Sequence, residues 1–241
     1  MSVRLYQPLN LALGQTYPLD DDNANYLLRV LRMQEGNELQ VFDGKGKEYL
    51  AELVQVQKKS ARFLVKTLLK DEAKPLLNLH LGQVISKGER MDFTIQKATE
   101  LGISEITPLW SERCDVRLNN ERQDKKREHW QAVAISACQQ SGRTHVPIIH
   151  PPMALADWLT SINSDIRLVL HPHQQQPWQA MPAPKSVALL VGPEGGFTEQ
   201  EVQQAQQQHF MGLRLGPRIL RTETAALTAL SVLQYQWGDF R

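Results

Sequence analysis

The chain has 241 residues, a formal net charge of +1 at pH 7 and a mean hydropathy of −0.39. The segments 1–74, 75–150 and 151–241 are each within one charge of neutrality, which excludes nucleic-acid binding through overall positive charge. No apolar run approaches the ~20 residues that a membrane span needs. The two cysteines exclude a disulfide framework and a cysteine-based metal site. We expect a cytoplasmic protein of one or two domains that carries no metal.

The first part of the chain is rich in predicted strands. Residues 38–43, 48–56 and 61–69 each have the apolar, β-branched character of short strands separated by polar turns. A helix is predicted after the acidic residues 20–22, and its apolar stripe consists of Tyr26, Leu27, Val30 and Leu31. We expect this stripe to pack in the core. Short strands around one helix predict a small β-barrel, which we place at residues 1–72.

The second part, residues 75–241, alternates predicted strands with predicted helices. Strands are expected at 77–85, 104–109, 166–170, 187–191 and 213–215. Helices are expected in the region of Met91–Leu101, near 120–139, and at 198–209 and 224–236. This alternation predicts an α/β domain with a parallel sheet, whose ligands bind near the carboxyl ends of the strands.

A glycine-rich run, Gly192–Gly196 (Gly-Pro-Glu-Gly-Gly), joins an apolar strand to a helix that begins with Thr198 and Glu201 in capping-box spacing. Glycines let the backbone approach a ligand closely, and a helix N-terminus offers free N–H groups. A tight strand-to-helix turn without a ligand explains the run equally well. The run matches neither the dinucleotide nor the nucleoside triphosphate fingerprint, so those two ligand classes are poorly supported.

A second informative segment is Leu213–Ala226. It begins with a short strand, and two arginines and a glutamate lie between this strand and the next helix, which begins at Thr222 or Thr224. Taken alone it is ambiguous, because Arg221 and Glu223 can form an ordinary surface ion pair of little energetic value.

Together the two segments resemble the signature of the SPOUT-type RNA methyltransferases, and within them the 16S rRNA uridine-1498 N3-methyltransferase family. Three further segments fit the family: 29–33, 87–102 and 138–143. The resemblance covers nearly the whole chain. One departure is Tyr26, where the family usually carries histidine.

The resemblance implies an N-terminal PUA-like barrel and a C-terminal SPOUT domain with a trefoil knot. It also implies that three loops of the knot hold S-adenosylmethionine (SAM), largely through backbone groups. The residues that match these loops are Leu170, Gly192, Glu194, Gly195, Gly196, Leu215, Gly216, Ile219, Leu220, Thr222, Thr224 and Ala225.

The implied reaction transfers a methyl group to nitrogen 3 of a uracil ring, which requires alignment and loss of the N3 proton. Arg221 is expected to stabilise negative charge on the uracil oxygens, although orienting a phosphate is an alternative role. Glu223 is the nearest candidate base, and it is equally consistent with a structural partner.

The implied partners are 16S rRNA of the small ribosomal subunit and a second copy of the chain. Candidate RNA contacts are Arg29, Arg32, Lys87, Arg90, Lys97 and Arg143, some of which can instead form solvated ion pairs. Two other functions stay open: a SPOUT methyltransferase of another RNA target, and a non-catalytic RNA-binding module.

Overall fold

The computed structural model describes residues 3–116, 120–171 and 181–240. Two compact units divide the chain: Met1–Lys74 with Cys138–Val146, and Pro75–Ala137 with Pro147–Arg241. The sequence gives no sign that Cys138–Val146 belongs with the first unit. The guanidinium of Arg4 explains it, because this group donates hydrogen bonds to the backbone carbonyls of Cys138, Gln139 and Arg143.

The first unit contains a five-stranded sheet. Its strands are β1 (Arg4–Tyr6), β2 (Thr16–Pro18), β3 (Glu38–Phe42), β4 (Lys47–Val54) and β5 (Arg62–Asp71), in the order β1-β3-β4-β5-β2. β1 runs parallel to β3, and the other pairs are antiparallel. Along β4 the alternate residues Tyr49, Ala51 and Leu53 are buried, as expected for a sheet with one face in a core.

The predicted helix of this unit is formed, but its apolar stripe is not buried as expected. Helix α1 (Asp21–Asn25) continues into a π-helical turn, Tyr26–Val30, in which Leu31 N bonds to Tyr26 O five residues earlier. Leu27 is fully buried, whereas Tyr26 is 44% and Val30 63% exposed. The prediction that the stripe packs in the core is therefore wrong, because the wider π turn does not keep α-helical spacing on one face.

The second unit is built on a parallel sheet. Its strands are β6 (Asn78–Val84), β7 (Glu105–Trp110), β8 (Ile148–Ile149), β9 (Met153–Ala154), β10 (Ile166–Leu170), β11 (Ser186–Val191) and β12 (Met211–Leu213). The sheet order is β12-β10-β11-β6-β7-β8, and β9 also pairs with β7. The helices are α2 (Arg90–Glu100), α3 (Asn120–Ser141), α4 (Leu155–Ser161), α5 (Glu199–Gln207) and α6 (Thr222–Trp237).

Strand β11 lies inside this sheet, and its residues Val187–Val191 are all buried. Alternate side chains enter two different hydrophobic clusters, as the pleat requires. Val187, Leu189 and Val191 pack with residues of α2, α3 and α6, whereas Ala188 and Leu190 pack with residues of α4 and α5. Helices therefore cover both faces, which is the layered arrangement predicted for an α/β domain.

Four elements of this unit differ from the sequence prediction, among them the short strands β8 and β9, which were not predicted. The strand expected at 213–215 ends at Leu213, because the chain then leaves the sheet. Helix α4 was not predicted, and its buried Trp158 packs closely over Gly82, where an added Cβ would lie 2.6 Å from the indole ring. Across the described part of the chain, no helix is long and apolar enough to span a bilayer.

Candidate functional site

A cleft of about 770 Å³ lies where β10, β11 and β12 end. Ligands of open parallel sheets bind at this edge. Eleven of the twelve residues that the motifs predict for the cofactor line the cleft; the exception is Thr224. The predicted cofactor residues thus belong to loops that are distant in sequence, and the fold brings these loops together.

The Gly192–Gly196 loop has a defined shape. Gly196 N donates to Pro193 O at 2.9 Å, and Gly196 has a φ of +68°, a left-handed conformation that favours glycine. At Gly192 an added Cβ would lie 3.0 Å from the Phe197 ring. Helix α5 follows with the predicted capping box, in which Thr198 and Glu201 satisfy each other's backbone N–H groups. All five residues of this loop line the cleft.

Two arginines hold the loop from outside. Arg90 Nη1 lies 2.5 Å from the Glu194 carboxylate, and Arg113 Nη1 donates to Gly195 O at 2.9 Å. Arg90 was predicted as an RNA contact, and the structure places it in the wall of the cleft. Arg113 was not predicted at all, because it lies in an irregular segment after β7 that carries no recognisable motif.

The second motif joins the first through Thr222, the first residue of α6. The Thr222 hydroxyl donates to Gly192 O at 2.7 Å and accepts from Gln83 Nε2 at 3.0 Å. Gln83 lies near the end of β6, pairs in register with Val191 of β11, and is fully buried. Sequence reasoning missed Gln83, since a single glutamine within an apolar strand carries no spacing signal.

Positive charge is concentrated in this cleft although the chain as a whole is nearly neutral. Five of the described lining residues are arginines, and Glu194 is the single carboxylate among the lining residues that the structure describes. The arginines are Arg90, Arg113, Arg214, Arg218 and Arg221. Such a patch fits an anionic partner such as a nucleic-acid backbone.

The two predicted catalytic residues occupy different positions. Arg221 is exposed and lines the cleft, whereas Glu223 does not line it. Glu223 Oε2 is enclosed, with no hydrogen-bond partner among the described residues. Among the residues that the structure describes, no ion pair joins Arg221 to Glu223. Thr224 is exposed on α6, and its carbonyl accepts a hydrogen bond from the Thr228 hydroxyl.

The remaining candidate RNA contacts lie in varied surroundings. Arg29 and Arg32 are exposed in the first unit, and Arg32 has a φ of +56°. Lys87 and Lys97 lie 2.7 Å from the carboxylates of Asp115 and Glu100 respectively. The carbonyl of Arg143 accepts from Arg4. The solvated ion pair considered for Lys97 is therefore present, while Arg29 and Arg32 project into solvent.

One group elsewhere in the second unit has the composition of a metal site: His80, Glu105 and His150 have ligand-type atoms within 4.8 Å of one another. These atoms already bond to protein groups. His150 Nε2 lies 2.8 Å from Glu105 Oε2, and His80 Nε2 lies 2.7 Å from the hydroxyl of Thr107. Burial lowers the pKa of His80 to about 4, so its ring is neutral at neutral pH. The group is explained as a hydrogen-bonded network.

Comparison with known proteins identifies the family. Residues 72–234 match the RNA methyltransferase domain model, and residues 19–66 match the RNA methyltransferase PUA domain model. Ribosomal RNA small subunit methyltransferase E of Buchnera aphidicola is 38% identical, with 99% of this chain and 95% of the relative covered.

Two solved structures extend the comparison, each covering 100% of both chains. Ribosomal RNA small subunit methyltransferase E of Neisseria gonorrhoeae, bound to SAM, is 40% identical with a TM-score of 0.92. A protein of Legionella pneumophila in complex with SAM is 41% identical with a TM-score of 0.94. The prediction of an RNA methyltransferase with a PUA domain is confirmed. The chain belongs to the RNA methyltransferase family that includes ribosomal RNA small subunit methyltransferase E.

Proposed function

We propose that this enzyme transfers the methyl group of SAM to nitrogen 3 of a specific uridine in the 16S rRNA of the small ribosomal subunit. The observation that carries the proposal is the cleft itself. It combines a shaped glycine loop, apolar walls and five arginines at the carboxyl edge of the sheet. The similarity to ribosomal RNA small subunit methyltransferase E over the full chain supports the substrate.

The residues of the cleft fit SAM in chemistry and size. A volume of about 770 Å³ is ordinary for a small-molecule site. Leu170, Leu215 and Leu220 offer apolar surface for an adenine ring, and the Gly192–Gly196 backbone offers hydrogen-bonding groups. Bound SAM supplies a methyl group on a positively charged sulfur. We assign the remaining cofactor contacts to Glu194, Gly216, Ile219, Thr222 and Ala225, as the motif match indicates.

Arg221 is the residue we assign to the uracil. Loss of the N3 proton leaves negative charge on the ring oxygens, and a guanidinium at the cleft wall stabilises that charge by hydrogen bonding. Its exposure and its position beside Leu220 and Thr222 support contact with a substrate that enters from solvent.

Glu223 is our candidate for the group that receives the N3 proton. Its position on the first turn of α6, two residues from Arg221, keeps it near the cleft. Its Oε2 has no hydrogen-bond partner among the described residues, and since Glu223 does not line the cleft, one water would have to relay the N3 proton to it. A structural role for Glu223 predicts instead that its loss lowers stability and leaves the reaction intact.

The finer points of the architecture also belong to this proposal. β12 lies at the outer edge of the sheet, yet the chain returns from it to Thr222 beside Gly192, which supports a trefoil knot. We further propose that the first unit is a PUA-like RNA-recognition barrel, with Arg29 and Arg32 on phosphates. Lys87 and Lys97 are assigned to the RNA around the cleft, and Arg143 is assigned to an RNA contact of the first unit. The active enzyme is proposed to be a cytoplasmic homodimer.

The test measures methyl transfer from labelled SAM to small ribosomal subunits that lack the modification, followed by mass analysis of the nucleosides. The expected product is 3-methyluridine, with no label on unrelated RNA. A different methylated nucleoside would refute the N3 assignment and favour another RNA target. SAM binding without any transfer to RNA would also refute the target, and absence of both would favour a non-catalytic RNA-binding module.

The role of Arg221 is tested in the same assay. Arg221→Ala is expected to lower kcat by about 10²–10³-fold while SAM affinity is kept, as for the loss of one oxyanion donor. The matched control is Arg127→Ala, which removes an exposed arginine of α3 that lines a separate depression. Near-normal transfer by Arg221→Ala would refute the assignment.

A further inference from the structure

The buried amide of Gln83 makes contacts that connect two parts of the cleft. Its Nε2 donates to the Thr222 hydroxyl at 3.0 Å, and that hydroxyl donates to Gly192 O at 2.7 Å. Nε2 also donates to Val84 O at 3.0 Å. One side chain of β6 is thereby linked, through the first residue of α6, to the start of the glycine loop. Gln83, Gly192 and Thr222 are far apart in the sequence.

The last group in this series of hydrogen bonds, Gly192 O, determines the orientation of the peptide at which the loop begins. Gly192 O belongs to the peptide unit that enters Pro193, and proline has no N–H. The carbonyl is therefore the only polar group in that unit, and a bond to it fixes the peptide plane from which the loop departs. Further along the loop, Arg113 donates a hydrogen bond to Gly195 O, and Gly196 N donates one to Pro193 O.

The energetics argue against a purely stabilising role for Gln83. Its side chain is fully buried, and its Oε1 has no hydrogen-bond partner among the described residues. A buried polar atom without a partner costs free energy, which offsets part of what the two Nε2 hydrogen bonds contribute to stability. What an apolar residue cannot do is orient the Thr222 hydroxyl.

We propose that Gln83 is a positioning residue for the cofactor: it fixes the Thr222 hydroxyl on Gly192 O and so sets the backbone of the Gly192–Gly196 loop for SAM. The inference rests on the proposed function, since it takes this loop as the SAM site. Gln83 itself does not line the cleft and acts through Thr222.

The first experiment needs no ligand. Amide hydrogen exchange of the loop is compared in the wild-type chain and in Gln83→Met, which keeps the length of the side chain and removes its donor. We expect exchange at Gly196, whose N–H donates to Pro193 O, to accelerate about tenfold, the factor that corresponds to one hydrogen bond. The matched control is Gln234→Met, which removes a buried glutamine that bonds to Leu101 O. Unchanged loop exchange in Gln83→Met would overturn the proposal.

The second experiment measures SAM affinity by calorimetry together with thermal stability. Gln83→Met and Thr222→Val are each expected to weaken SAM binding about tenfold, and Thr222→Ser to restore it. Because Gln83 acts through Thr222, the double variant is expected to bind no more weakly than Thr222→Val alone. Thr99→Val, at a buried threonine of α2, is the control for loss of a buried hydroxyl.

The outcomes separate this inference from the proposed function. A lower melting temperature with unchanged SAM affinity in Gln83→Met would show a structural role and overturn the inference. Additive losses in the double variant would also overturn it, because they show that Gln83 acts independently. A wild-type chain that binds no SAM would refute the proposed function, while the loop exchange still decides whether Gln83 orders the loop.

Discussion

The buried ion pair between Arg4 and Glu48 gives the sharpest prediction about stability. Arg4 Nε lies 2.6 Å from Glu48 Oε1, and the two side chains are only 11% and 2% exposed. Arg4 also lies 4.6 Å from the centre of the Phe42 ring. In Arg4→Met the Glu48 carboxylate stays buried and loses its close partner, while Lys70 Nζ remains 3.4 Å from its other oxygen.

Breaking a buried pair by removing one partner costs about 3–5 kcal/mol. Lys70 remains, but three backbone carbonyls also lose their Arg4 donor, so we expect Arg4→Met to lower the free energy of unfolding by about 3–5 kcal/mol. Urea unfolding followed by circular dichroism measures this loss. The additional change Glu48→Leu is expected to recover part of it, because it removes the stranded charge.

An exposed ion pair in the same unit is the control. Lys66 lies 2.8 Å from Glu52 and 3.4 Å from Glu38, and its side chain is 38% exposed. Lys66→Met is expected to have little effect on the free energy of unfolding, and even less in high salt, because the pair is exposed and screened. If Arg4→Met cost no more than Lys66→Met, the reasoning from burial would be refuted.

Three further predictions concern the glycine loop, the histidine network and a thiol. Gly196→Ala imposes a left-handed alanine that costs about 1–2 kcal/mol, so SAM binding should weaken about tenfold; Gly14→Ala, with a similar φ of +75° and equal space, is the control and should leave SAM binding unchanged. The pKa of His80 is lowered by burial from 6.5 to about 4, so the unfolded state binds the proton first and stability should fall as the pH drops from about 6.5 to 4. Below about pH 4.5 protonation of Glu105 lowers stability further, because the hydrogen bond from His150 lowers the pKa of Glu105 to about 2. In unfolding measurements over a pH series, His80→Gln should reduce the pH dependence of stability in the upper part of this range, and an unaltered dependence there would contradict this account. Burial raises the pKa of the Cys138 thiol to about 11, so a thiol-specific disulfide reagent at pH 8 should label it only after unfolding. Cys114 is only partly buried, so the test uses Cys114→Ser, and rapid labelling of this native variant would contradict the burial of Cys138.

The sequence carried much of the fold because periodicity and turn chemistry are local. The continuous apolar run of β11 predicted an interior parallel strand, and the Thr198–Glu201 capping box predicted the start of α5. The exposure of Tyr26 could not be predicted, since the π turn that causes it leaves no signal in residue spacing.

The candidate site also contains residues that the sequence predicts and residues that it does not predict. The residues of the two motifs were accessible because close backbone approach demands glycine in contiguous runs. Arg113 and Gln83 were not accessible, because each acts through one contact with a residue 82 or 139 positions away. Long-range hydrogen bonds of this kind are set by topology and leave no periodic trace in the sequence.

The return of Cys138–Val146 to the first unit has a consequence for dissecting the protein. A fragment that ends at Lys74 contains every strand of the N-terminal sheet, yet it leaves the Arg4 guanidinium without three carbonyl acceptors. It also removes Thr144, whose hydroxyl bonds to Glu72. The first unit is therefore not a contiguous stretch of chain, and a truncation chosen from the linker alone would isolate an incomplete fold.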